Sequence, residues 1–245
     1  LAQQRMWFLN RFDPESAAYN LPVALRLSGR LNVAALQDAI RDVFARHEVL
    51  RTAYPETEDG AVQVVLPVTA VVPDLTPVAT SWDEVADRIR ELAYTGFDVT
   101  SEAPIRVRLF TVGEDETIVA FVVHHISADG SSMGPLTRDL VTAYVARSTG
   151  NAPDWMPLPV QYADYALWQR RVLGDENDPA SVAAKQVTYW KQALADLPDQ
   201  LDLPTDRPRP AVQSFAGGKI DFTIDADLHR QLVELARARG ATLFM

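Results

Sequence analysis

The segment TIVAFVV, residues 117–123, is apolar on both faces of an extended chain, and it constrains the fold more than any other stretch. Side chains along a strand point alternately to opposite faces, so a half-exposed strand alternates apolar and polar residues. A strand with no polar face needs cover on both sides, which places it centrally in a sheet. Two shorter segments suit its neighbours. LPVALRLSG (21–29) alternates from Val23 to Leu27, and IRVRLFTV (105–112) alternates up to the turn GEDE.

Helical spacing accounts for much of the rest. Val33, Leu36, Ile40, Val43, Phe44 and His47 fall on one face of a helix for which Asn32 is the expected N-cap. SWDE (81–84) has the form of a capping box, ahead of a helix expected to bury Trp82, Val85, Ile89 and Leu92. Met133, Leu136, Leu140, Val141 and Tyr144 mark another amphipathic helix, YADYALWQRRVL (162–173) a further one, and 181–196 the next. RTAY and AVQVVL read as a hairpin about PETEDG, and VTAVVPDLTPVAT as an edge strand followed by a loop.

The proline-rich LPTDRPRPAVQSFAGG breaks this pattern and reads as a linker, followed by a strand KIDFTI (219–224) and a helix over about 226–239. The first residues read as an element already under way, and Gly240 and Thr242 as the end of one helix and the cap of the next. The chain is therefore read as part of a longer polypeptide.

Composition removes several functions. The net charge of −10 lacks the attraction to phosphate that a nucleic-acid binder needs. With no cysteine, thiolate catalysis and cysteine-ligated metals are excluded. The longest apolar run, IVAFVV, is far too short to span a bilayer, and nothing at the start resembles a signal peptide; no membrane is expected, and the cytoplasm is the expected location.

The central strand ends in two of the chain's four histidines, His124 and His125, followed by Asp129 and Gly130. Residues just past such a strand end are where α/β proteins place their chemistry. If the strand continues through both, they face opposite sides, and one is expected to be packed. Asp129 can fold back across the turn at Gly130, where free N–H groups at a helix start can stabilise an oxyanion. A metal site lacks a third ligand nearby, and Ser131 and Ser132 lack a nucleophile elbow. Residue type and spacing leave a catalytic and a structural reading of the pair both open.

HHISADG resembles the HHxxxDG signature of condensation domains of nonribosomal peptide synthetases and of the wider chloramphenicol-acetyltransferase-like acyltransferases. Three more stretches are similar to condensation motifs in the family's order: LAQQRMWFL (1–9), RHEVLRTAY (46–54) and YADYALWQ (162–169). LPTDRPRP (203–210) resembles the crossing between lobes. The resemblance implies a mixed α/β sheet flanked by helices in an acetyltransferase-like sandwich lobe over 1–200, an inter-lobe linker over 201–218, and the beginning of a second lobe over 219–245. Domains of this kind are about twice as long, with the active site between two lobes.

The implied reaction joins a donor acyl or peptidyl thioester to an acceptor aminoacyl amine. Both are delivered on phosphopantetheine by carrier-protein partners, alongside synthetase neighbours such as an adenylation domain. No cofactor is expected to bind the chain directly. By position in the motif, His125 is the implied catalytic residue, as base or as positioner of the amine, and Gly130 the implied N–H donor. His124 is implied to be packed support. Asp129 is implied to pair with an arginine that braces the loop, Arg51 first and Arg46 second, so that Asp129→Ala would damage folding as much as turnover. Gln3, Arg5 and Trp7 are implied to shape the lobe.

His47 is read as a satisfied core or boundary histidine, His229 as a surface one, and Tyr162, Tyr165 and Trp168 as core anchors. Ser131 departs from the tryptophan often found at its position, which puts tunnel wall or acceptor preference in doubt. Epimerisation domains carry a different first motif and SW after the aspartate. An epimerisation domain, a stand-alone acyltransferase and a non-catalytic recruiting module, which usually loses the second histidine, stay open as alternatives.

Overall fold

The computed structural model describes residues 1–245 except 59, 199, 200, 202, 209 and 212–219. Its elements run α1 (Ala2–Phe12), β1 (Asn20–Ser28), α2 (Val33–Arg46), a 3-10 turn (Glu48–Arg51), β2 (Thr52–Ala53), β3 (Glu56–Thr57), β4 (Gly60–Ala61) and β5 (Val64–Val65). They continue with α3 (Val68–Val71), β6 (Val78–Ala79), α4 (Trp82–Tyr94), β7 (Ile105–Thr111), β8 (Glu116–His124), α5 (Gly130–Ser148), α6 (Tyr162–Leu173), α7 (Val182–Ala193) and α8 (Ala226–Ala238). Contacts group the chain into two units, Leu1–Asp199 and Gln200–Met245.

The first unit is built on a four-stranded mixed sheet in the order β1-β8-β7-β6. β8 pairs antiparallel with β1 and with β7, while the short β6 runs parallel to β7 at the edge. As expected, the doubly apolar strand is interior, and it is buried from Thr117 to His124. Its odd-numbered residues Val119, Phe121 and Val123 pack with Leu36, Ile40, Val43 and Phe44 of α2 and with Leu136 and Leu140 of α5. Its even-numbered residues Ile118, Ala120 and Val122 pack with Val85, Ile89, Leu92 and Ala93 of α4 and with Phe97. Helices therefore cover both faces, which is why this strand can dispense with a polar side.

Local signals set several boundaries. Asn32 caps α2 by accepting a hydrogen bond from the Ala35 N–H at 3.0 Å, as its position before the periodic run predicts. The hairpin over 52–65 forms as two short ladders, β2 with β5 and β3 with β4.

Four local expectations fail. The edge strand forms at 78–79 rather than at the start of its segment, where Pro67 leads into the single turn of α3. Ser81 precedes α4 without any side-chain cap hydrogen bond. Trp82 is 49% exposed rather than buried, because the Arg26 guanidinium, not the core, covers its ring at 4.6 Å. Residues 220–224 form no strand; Ile220 and Phe222 are exposed and pair with no neighbouring chain segment among the described residues, and a strand needs a partner for its ladder. Most of the expected linker, and Lys219, lie outside the described residues. In the second unit α8 forms as predicted, capped by Asp225, with His229 exposed on it.

Candidate active site

The site is made where β8 runs out. β8 keeps its pairing through both histidines: the His124 N–H donates to Pro104 O at 2.9 Å on the β7 side, and the His125 N–H to Tyr19 O at 2.8 Å on the β1 side. Extended backbone then sends the two rings to opposite faces. His124 is 1% exposed, with its ring edge-on to Phe97 and tilted against Tyr19, while its Nδ1 accepts from the Ile126 N–H at 3.1 Å. That bond fixes the tautomer with the proton on Nε2.

Burial, and then the neighbouring His125 charge, push the His124 ring down to about 4. The folded state therefore refuses a proton that the unfolded chain accepts below about 6.5. Stability from this group is complete above that pH and is lost as the pH falls through the window towards 4. Denaturant titrations at pH 7, 5 and 4 are expected to show a loss of about 3 kcal/mol relative to a His124→Gln variant. Parallel curves for the two proteins would refute the burial argument.

His125 is exposed and lines a cleft of about 730 Å³. Its imidazole makes no hydrogen bond to any described residue. The cleft is walled by Gln3, Arg5 and Met6 of α1, by His47 and Val49, by Ser127 to Asp129, by Leu136 of α5, and by Leu158, Val160, Gln161, Tyr162 and Tyr165. α1 is locked beneath it: the buried Gln3 donates through Nε2 to the Tyr54 hydroxyl at 2.8 Å and to Ile126 O at 3.1 Å, and Trp7 Nε1 donates to Tyr54 O at 2.8 Å. Burial raises the Tyr54 hydroxyl above its ordinary range, so it stays protonated in this network.

Asp129 is the N-cap of α5. Its Oδ1 accepts from the Ser132 N–H at 2.9 Å, and Ser132 Oγ in turn accepts from the Asp129 N–H at 3.1 Å, a reciprocal cap. The Ser132 hydroxyl, which donates to Oδ1 at 2.7 Å, and then the Ser132 N–H hold its carboxyl below the usual range. The expected arginine brace is not formed. Arg51 donates instead to Phe44 O at 3.0 Å and Leu66 O at 2.6 Å, and lies 3.3 Å from Glu48. Arg46 donates to Asp139, at 2.8 Å. Serine three residues into the helix gives Asp129 a nearer partner than any arginine.

The expected folding defect is accordingly reduced: Asp129→Ala should cost about 1 kcal/mol, the scale of one lost cap. Thermal unfolding checks it, and a loss several times larger would restore a bracing role. Gly130 opens α5, its N–H unpaired among the described residues, and a Cβ there would meet nothing within 4 Å.

Two features of the cleft escaped the sequence reading. The tyrosines expected as core anchors are exposed instead: Tyr162 and Tyr165 line the cleft, and Tyr162–Tyr165 and Tyr165–Trp168 are each stacked at a tilt with ring centroids 5.6 Å apart. No residue of α6 is buried, so its aromatic face covers no core within this unit. The Gln161–Asp164 reciprocal cap that starts this helix could have been read from the sequence. His47 is satisfied at one nitrogen, as a boundary histidine should be, yet it also faces the cleft, which its helical spacing did not reveal. Among the described residues, no group of three His, Cys, Asp or Glu could hold a metal, and no helix is long and apolar enough to cross a membrane.

A sheet covered on both faces, whose central strand ends in a histidine pair with His125 opening on a cleft, is the acetyltransferase-like lobe that the motifs implied. The sequence model of the condensation domain matches residues 1–245, and the chain belongs to the condensation domain family of nonribosomal peptide synthetases, acyltransferase-type enzymes. It is 53% identical over 244 residues to CymA of Salinispora arenicola, named as a probable nonribosomal peptide synthetase of non-standard type. It is 48% identical over 244 residues to a dimodular nonribosomal peptide synthase of Bacillus subtilis. All of this chain is covered in both cases, but only 3% and 10% of those proteins. The solved X-domain from teicoplanin biosynthesis is 41% identical with a TM-score of 0.86, over 98% of this chain and 52% of that one. The chain thus spans about half of that domain and a small part of the synthetases.

Proposed function

We propose that this cleft forms a peptide bond between two carrier-borne substrates: a donor acyl or peptidyl thioester and an acceptor aminoacyl thioester. The observation that carries the reading is the position of His125, at the open end of the central strand with no partner for its ring, while His124 fills the packing role on the opposite face. An imidazole with both nitrogens free of the protein can take a proton from the acceptor's ammonium before attack or from the nitrogen of the adduct after it, or hold the amine in line by one hydrogen bond.

The amine nitrogen attacks the thioester carbon, the C–N bond forms and the C–S bond breaks. The proton lost from nitrogen passes to His125 or on to the leaving thiolate. The developing oxyanion lies where the unpaired Gly130 N–H can donate to it. The absence of packing around a Cβ at position 130 suits close approach by a substrate. Ionised Asp129 supports the site as a helix cap, and His124, Arg46 and Arg51 support it by packing and hydrogen bonding. Carrier proteins bearing phosphopantetheine are the partners, with an adenylation domain as neighbour.

One observation favours a second reading. The teicoplanin X-domain has been solved in a complex with OxyB, so a lobe of this build can serve recruitment. The test is to load two carrier proteins, add the full-length synthetase, and look for dipeptide on the acceptor carrier. Product supports condensation. No product alongside tight binding of a partner enzyme supports recruitment.

A further inference from the structure

His47 closes α2, where its backbone N–H donates to Val43 O at 2.9 Å, and its ring lines the same cleft as His125. Behind the ring, Nε2 lies 2.9 Å from Oδ2 of Asp139 on α5. The side chain of Asp139 is only 9% exposed, and the same oxygen accepts from Arg46 Nε at 2.8 Å. Arg46 is itself fixed, donating to Met156 O at 2.7 Å with its guanidinium 4.8 Å over the Trp155 ring. Burial alone would raise the Asp139 carboxyl, but the bonds from His47 and Arg46 together hold it below its ordinary value.

An ionised carboxylate only accepts, so His47 Nε2 carries the hydrogen, and in the neutral ring Nδ1 is left as an acceptor. Nδ1 has no partner among the described residues, and it is not among the buried atoms that lack one. The ring is therefore anchored from behind, and in its neutral form it leaves Nδ1 as an acceptor without a partner among the described residues, on a residue that lines the cleft. A residue needed only to tie α2 to α5 would not require an open face, since Arg46 already ties Asp139.

We propose that His47 is a substrate-binding residue that accepts, at Nδ1, a hydrogen bond from an N–H of the carrier-borne aminoacyl substrate while Asp139 holds its ring in place. This rests on the proposed condensation reading. The N–H belongs either to the α-amine of the acceptor or to an amide of its pantetheine arm.

Glutamine and asparagine separate the two nitrogens. His47→Gln keeps a donor near the Nε2 position for Asp139 and removes the acceptor at Nδ1; His47→Asn does the reverse. Both are made in the full-length synthetase, and calorimetry measures binding of pantetheine and of a non-reacting aminoacyl-aminopantetheine amide. Dipeptide formation is followed in parallel. His47→Gln is expected to keep the melting temperature within about 3 °C, to weaken binding of the aminoacyl probe about 5- to 15-fold, and to raise KM for the acceptor similarly with kcat little changed.

Equal weakening of both probes assigns the pantetheine amide, and weakening of the aminoacyl probe alone assigns the amine. His47→Asn is expected to keep more affinity and lose more stability. Wild-type affinity for both probes in His47→Gln, with losses confined to the stability of His47→Asn, would overturn the proposal. Binding needs no turnover, so a wild-type protein that makes no dipeptide yet binds the probes through His47 would refute the condensation reading and leave standing only the contact of His47 with a carrier-borne aminoacyl group.

Discussion

Replacing His125 by alanine is expected to lower dipeptide formation by about 10²- to 10⁴-fold, the usual weight of a positioned acid–base group, while leaving the fold intact. The two halves of this expectation have separate causes. The ring is exposed and makes no hydrogen bond to any described residue, so its removal opens no cavity and strands no buried polar atom. The backbone bond from His125 N–H to Tyr19 O, which finishes the β1–β8 ladder, survives any side-chain change. What disappears is the one unpartnered imidazole at the strand end. A His125→Gln variant tests the role: a positioner is partly replaced by an amide that can hold the amine, a base is not. Rates come from loaded carrier proteins, and folding from circular dichroism and thermal melting. A folded His125→Ala protein within a few-fold of wild-type rate would remove His125 from the chemistry.

The second large effect is on stability. Phe97→Ala is expected to cost about 3–5 kcal/mol, the range for deleting a buried aromatic ring. That is a large share of the 5–15 kcal/mol typical of a domain. Phe97 is fully buried and packs with Tyr54, Val99, Val122 and Ile126. Its ring supports His124 edge-on from one side, and the Arg106 guanidinium lies 3.8 Å above it. The void would open directly against the imidazole held near pH 4, so water reaching it should also raise that value towards 6.5. Equilibrium denaturation measures the first effect and NMR titration of His124 the second. A loss below about 1 kcal/mol would mean that the floor of the site can collapse and does not depend on this ring.

The elements that could be read from sequence were those fixed by short-range rules. Strand β8 followed from its missing polar face, α2 from its periodicity and Asn32, and the opposite facing of His124 and His125 from the two-residue repeat of an extended chain. The misreadings arose where a local pattern competed with a contact from far away in the chain. SWDE looks like a capping box, yet Ser81 makes no cap, and Trp82 is covered by Arg26 of β1. The Tyr162, Tyr165 and Trp168 spacing is that of a buried stripe, but periodicity cannot say whether a neighbour exists to bury it.

The sequence by itself determined the family, the main strands and helices of the first unit and the opposite facing of His124 and His125, because motifs and hydrophobic periods are carried by residues within a few positions of one another. Only the tertiary structure decided who pairs with whom. Asp129 takes Ser132, three residues away, in place of an arginine, whereas Arg46 and His47 reach across about 90 positions to share Asp139. Charges of the right sign are plentiful in any chain, and selecting among them requires the packing of α2 against α5 to bring one carboxylate within 3 Å and to exclude water around it.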